Sequence, residues 1–97
     1  MDPQVCTREV IVTLENGLHL SPSSRLAALA QKFNCDVSIR KADRAVNAKS
    51  MMDILTLAAE CGTPLTLEAT GDGSTEAIET LARLFENNFQ LDSQPPA

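Results

Sequence analysis

Apolar residues recur along this chain with two alternating periods, and the changes of period lay out its elements. From Thr7 to Thr13, TREVIVT is rich in β-branched side chains and reads as a strand that the turn signal ENG closes. From Pro22 the period lengthens. Leu26, Leu29, Ala30 and Phe33 fall at i, i+3, i+4 and i+7 on one helical face, with Pro22 suited to the first turn and Asn34 as the stop. CDVSIRK then alternates Val37 and Ile39 against Asp36, Ser38 and Arg40, a half-buried strand. ADR turns the chain into a short partner strand, Ala45 to Ala48.

Ser50 with Asp53 three residues later has the form of a capping box opening a second helix. Met51, Ile54, Leu55 and Ala58 supply its apolar positions, with Ile54 and Ala58 expected inward and Gly62 ending it. TPLTLEAT alternates Leu65, Leu67 and Ala69 against Thr66, Glu68 and Thr70 as a strand. GDGS is a loop with Ser74 expected as the N-cap of a third helix, whose inner face is Ile78, Leu81, Ala82 and Phe85. The order β-α-β-β-α-β-α predicts a two-layer α+β domain with helices covering one side of a mainly antiparallel sheet. A single domain over residues 1–97 is expected, its ordered core running from about 6 to 90 and LDSQPPA, 91–97, fraying.

Composition narrows the function. With 97 residues, 43% of them apolar, no Trp or Tyr and three Phe, a small core must be filled by aliphatic side chains and Met. A net charge of −5 and eight scattered basic residues argue against a nucleic-acid binder, which needs a basic stripe for phosphates. Cys6, Cys35 and Cys61 have no C-x-x-C spacing and are expected as reduced thiols serving as small core residues. One histidine among scattered cysteines argues against a metal site, and no cofactor is expected. The longest apolar run, Leu26 to Ala30, is too short to span a bilayer, and MDPQVCTREV has no basic n-region or long apolar h-region. The expected location is the cytoplasm.

The chain's one histidine, His19, lies just after the Asn16-Gly17 turn and just before a helix start. A helix N-terminus offers unpaired N–H groups and a positive dipole end, both favourable to an attached anion. Imidazole, with an ordinary pKa of about 6.5, is largely neutral near pH 7 and suited to act as a nucleophile. The competing reading is a turn histidine that packs or caps locally.

Three segments tip the weighing toward the first reading: GLHLSPSSRLA, AKSMMDILTLAAECGTPLTLEATG and STEAIETLARLF. In content and spacing, over Thr7 to about Phe89, they resemble the active-site segment G-L-H-A-R-P-A, the K-S-I-M motif and the last helix of the HPr family, the histidine-containing phosphocarriers of the bacterial phosphoenolpyruvate:sugar phosphotransferase system. The resemblance implies an open-faced sandwich, three helices on one face of a four-stranded sheet. It also implies that His19 accepts a phosphoryl group from phospho-enzyme I and passes it to sugar-specific acceptor domains of permeases, as a carrier rather than an enzyme. The helix start Leu20, Ser21, Pro22 and Ser23 would then support the phosphate. At Ser21 the family has arginine, and Leu20 and Ser23 also differ from its usual small residues. A hydrogen bond to a charged group contributes about 1.5–3 kcal/mol, so Ser21 should weaken the hold on the phosphoryl group without abolishing it. Arg25, one turn on, is read as a solvated helix position, with reaching back the lesser alternative.

By the same resemblance Ser50, a helix cap on its own chemistry, is also the position that an HPr kinase phosphorylates in many family members. Met51, Met52 and Leu55, extended by Leu20, would dock partners, Met52 being the most exposed; read by periodicity alone the three are core. A monomer is expected. The rival reading is a regulatory binding module on the same fold, switched at Ser50 with carriage weak or absent. A third is an unrelated small adaptor, indifferent to His19 and Ser50.

Overall fold

The structure, a computed structural model, describes residues 5–89. Its elements are β1 (Val5–Ile11), α1 (Leu20–Ala30), β2 (Asp36–Lys41), β3 (Arg44–Asn47), α2 (Met51–Leu55), β4 (Pro64–Thr70) and α3 (Ser74–Glu86). The four strands form one antiparallel sheet in the order β1-β4-β2-β3, with the three helices on one face. The expected element order and open-faced architecture are therefore present. The proposed tail 91–97 lies outside the described residues.

The sheet's inner face is the alternation read from sequence. Val10 on β1, Leu65, Leu67 and Ala69 on β4, and Val37 and Ile39 on β2 are buried, and pairing places Ala69 opposite Val37 and Leu67 opposite Ile39. Leu26, Ala27 and Ala30 from α1, Ile54 from α2, and Ile78, Leu81, Ala82 and Phe85 from α3 close the core over it. Burying a side chain such as Leu or Ile stabilises by about 1.5–3 kcal/mol relative to exposure. The outer face carries Thr7, Glu9, Thr66, Glu68, Ser38 and Asp36, none of them buried, as an antiparallel sheet with one wet face requires.

Four expectations are corrected. β1 begins at Val5 and ends at Ile11, two residues earlier than read, although Val12 still exchanges backbone bonds with Gly62 and Thr63. The second helix lasts one turn and a half, not to Gly62. Ala58 adopts φ +51°, which ends helical periodicity, so Ala58 is exposed while Leu57 and Ala59 turn inward. Ser74 is the first helical residue of α3, not its cap, which is Gly73 at φ +80°. Cys61 is exposed in the turn before β4, unlike buried Cys35 and half-buried Cys6.

The helix ends are closed by long basic side chains from elsewhere. Lys41 Nζ donates to the Leu57 carbonyl (2.8 Å) and Arg44 Nη1 to that of Thr56 (2.9 Å), just past α2. Lys49 Nζ donates to the Phe33 carbonyl (2.7 Å), just past α1. Arg25 Nη1 donates to the Phe89 carbonyl (2.7 Å), beyond α3. Cations suit this negative end of the helix dipole.

Ser74 Oγ is buried with no hydrogen-bond partner among the described residues. Ser74→Ala should therefore leave stability unchanged or raise it by up to about 1 kcal/mol, because an unsatisfied buried hydroxyl is removed. Were Ser74 a working cap, the same change would cost about 1 kcal/mol. Urea unfolding gives the sign.

Candidate functional site

His19 is placed by the loop between β1 and α1, and backbone hydrogen bonds set the turn just ahead of it. Glu15 and Asn16 turn the chain, with Gly17 N–H donating to the Leu14 carbonyl (2.9 Å). Leu18 N–H then donates to the Ala59 carbonyl (2.8 Å), beyond α2. Gly17 sits at φ +75°, and a Cβ there would lie 2.6 Å from that same Ala59 oxygen. Only glycine meets both conditions, the left-handed backbone and the close approach. Leu18 is buried behind the turn, which leaves His19 outward.

His19 is the N-cap of α1 in extended conformation (φ −87°, ψ −164°), yet its side chain makes no capping hydrogen bond. Its carbonyl accepts from Ser23 N–H (3.0 Å) and its own N–H is taken by the Gly17 carbonyl (2.9 Å). The imidazole is exposed, so the alternative of a packed or capping histidine does not describe it. In the first turn, the N–H groups of Leu20 and Ser21 have no intrahelical acceptor, and no acidic residue competes with an anion there.

The other residues read as phosphate-supporting divide. Leu20 and Ser21 are exposed, whereas Pro22 and Ser23 are buried. Pro22 has no N–H, and the Ser23 hydroxyl donates to the Leu18 carbonyl (3.1 Å). Ser23 thus ties the helix start to the loop and offers no donor outward. The helix begins two residues earlier than Pro22 and reaches its C-cap at Gln31, before Asn34. Arg25 is not a free solvated position, since its guanidinium is held at Phe89.

Ser50 is the N-cap of α2, accepting from Asp53 N–H on its Oγ (3.2 Å). The reciprocal half of a capping box is absent, because Ser50 N–H donates to the Asn47 carbonyl (3.1 Å). Gln31 Nε2 bonds the Lys49 carbonyl and Lys49 Nζ bonds that of Phe33, so the start of α2 lies beside the end of α1. Ala59, past the end of α2, lies at the start of α1. His19 and Ser50 therefore stand toward opposite ends of this helix pair. Leu20 and Met52 are strongly exposed (59% and 66%), while Met51 and Leu55 are half-buried.

Two supports escaped sequence reading. The Ala59 carbonyl is a backbone atom in an apolar stretch, and only the glycine at position 17 hinted that something approaches there. The hook after α3 pairs Asn88 Oδ1 with Thr13 Oγ1 (2.9 Å) and Phe89 with Arg25, although Asn88 and Phe89 both have positive φ, +57° and +63°. No local pattern announces it. Among the described residues no group of three or more His, Cys, Asp or Glu could hold a metal ion, and no helix is long and apolar enough to cross a membrane.

A family model described as the PTS HPr component phosphorylation site matches residues 6–87. The chain is 36% identical over 85 residues to the phosphocarrier protein HPr of Xylella fastidiosa, covering 88% of this chain and 96% of that protein. It is 40% identical over 75 residues to the HPr-like protein Crh of Bacillus subtilis, covering 77% and 88%. A crystal structure of a phosphocarrier protein HPr from Bacillus anthracis matches with a TM-score of 0.80 at 36% identity, covering 84% of this chain and 96% of that one.

The Gly17 geometry has a measurable consequence. Gly17→Ala should cost roughly 2–3 kcal/mol, combining left-handed strain with displacement of the Ala59 carbonyl. Gly62→Ala, at φ +93° but in open space, should cost only about 1 kcal/mol. Denaturant unfolding of the two variants compares them directly.

Proposed function

The chain belongs to the HPr family of phosphocarrier proteins, which are carriers and not enzymes, and on that premise we propose that His19 is its phosphoryl-accepting residue. The observation that carries this reading is an exposed imidazole at the head of α1, free of any capping bond and flanked by the open amides of Leu20 and Ser21. The neutral ring attacks through the Nδ1 lone pair, in line with the donor's leaving atom. The new N–P bond forms as the bond from phosphorus to the donor breaks, the donor keeps that electron pair, and the proton on the second ring nitrogen leaves. Transfer onward reverses these changes, an acceptor nucleophile taking phosphorus and returning imidazole. The helix end holds the charge with about 0.3–1 kcal/mol, up to about 2 when partly shielded.

The donor is phospho-enzyme I, charged by phosphoenolpyruvate, and the acceptors are sugar-specific domains of permeases, all met in the cytoplasm by a monomeric carrier. Leu20 and Met52, with parts of Met51 and Leu55, supply the adaptable apolar surface for them. Pro22 and Ser23 act behind this surface by fixing the helix start.

A second reading is favoured by Ser50 and by the likeness to Crh. There an HPr kinase places phosphate on the α2 cap, adding roughly −1.5 to −2 charges beside Asp53. The chain would then serve as a regulatory binding module, with Ser21 making carriage weak or absent. Because Ser50 stands away from His19 along the helix pair, that charge would act on docking at α2 more than on the imidazole.

Incubation with enzyme I and phosphoenolpyruvate should give acid-labile phosphate on His19 by mass spectrometry, lost in His19→Ala. Ser21→Arg should speed labelling roughly ten- to a hundredfold, the kinetic equivalent of one charged hydrogen bond. Labelling only in Ser21→Arg would instead favour the regulatory reading. Ser50→Ala should cost about 1 kcal/mol of stability through the lost cap, while Ser50→Asp should retain most of it.

A further inference from the structure

We propose that Arg25 is the cation that binds the phosphoryl group on His19, exchanging the Phe89 carbonyl for it once the group arrives; this rests on His19 being the acceptor. A phosphoryl group brings roughly −1.5 to −2 charges and three acceptor oxygens to the start of α1. The first turn itself answers with two amides and the Ser21 hydroxyl, none of them charged.

Four of the eight cations are engaged away from that end. Arg8 is paired with Glu86 between β1 and α3, Lys41 and Arg44 hold the carbonyls past α2, and Lys49 lies past the far end of α1. Arg25 is different. It stands on α1 itself, four residues after Ser21 and six after His19. Residues four apart are neighbours on a helix surface, and helical side chains lean toward the N-terminus over the preceding turn. The Arg25 stem is therefore directed toward the phosphoryl end.

Its present bond is also the kind that exchanges. One Nη1 donates to one neutral carbonyl, from an exposed residue, and a guanidinium has five donors. A bond to phosphate would join opposite charges where the present one joins a cation to a neutral carbonyl, and a guanidinium makes such bonds to phosphate in pairs. Losing Arg25 does not free the hook after α3, because Asn88 stays bonded to Thr13 and the Phe89 ring stays packed edge-on against Phe85 (4.8 Å).

The test uses phosphoramidate, a small donor that modifies imidazole without a protein partner, on the wild-type chain, Arg25→Lys and Arg25→Gln. Phosphorus NMR then follows the titration of the phosphoryl group on His19 between its singly and doubly charged forms. A nearby cation favours the doubly charged form and lowers the midpoint, so Arg25→Gln should raise it by about one pH unit, with Arg25→Lys restoring most of the difference. Gln keeps an amide donor for Phe89, so a merely structural arginine would leave all three midpoints together. Coinciding midpoints, or equal shifts in Lys and Gln, overturn the proposal. Since no enzyme I is used, a wild-type chain that enzyme I fails to label would count against the carrier reading alone, and the Arg25 result would still stand or fall by its own midpoints.

Discussion

The approach of the Gly17 backbone to the Ala59 carbonyl is the contact on which the site depends. It joins the loop ahead of α1 to the segment past α2 through the Leu18 amide, and it leaves no room for a side chain. With Leu18 drawn inward, the next residue must face out, and that residue is His19. Ser23 then fastens the helix start to the same loop through the Leu18 carbonyl. The imidazole is positioned by main-chain geometry at both sides, and its own nitrogens are left for chemistry. A histidine used as its own cap would be equally well placed but chemically occupied.

The electrostatics of the site follow from where the cations are. In a chain with a net charge of −5, four of the eight basic residues, Arg25, Lys41, Arg44 and Lys49, close carbonyls beyond helix C-termini. The N-terminus of α1, where an anion is favoured, has neither a side-chain cap nor an acidic residue and is left to its own amides. With a hydroxyl at Ser21, the positive field at His19 comes from the peptide dipoles of α1 alone while Arg25 remains at Phe89. This separates the present arrangement from one with a fixed cation beside the imidazole.

Much of this was legible in the sequence because it rests on period. β4 and β2 alternate cleanly, with Leu65, Leu67, Ala69, Val37 and Ile39 all buried, and α3 buries the four residues its spacing selects. The readings failed where a single backbone angle overrides period. Ala58 leaves the helical region, and the inward role passes to Leu57 and Ala59. Gly73 takes the cap expected of Ser74. His19 and Ser50 were legible as residue types beside helix starts, whereas the burial of Ser23 and the destination of Arg25 were not. Both depend on partners, Leu18 and Phe89, that lie across a turn or 64 residues away in the chain. Exposed Cys61 was misread because cysteine is usually small and buried, and its turn is not an apolar site.

The lysines at the helix ends also tie the chain's charge to its cohesion. Lys41 and Lys49 are half-buried, with their ammonium groups spent on main-chain oxygens. Acetylation elsewhere on a surface simply makes a protein more acidic. Here, at either of these two amines, it would also unfasten an α-helix from its neighbour. Such a modification would be felt as loosening before it was felt as a change of potential, so the carrier's surface cannot be retuned through these lysines without retuning its rigidity.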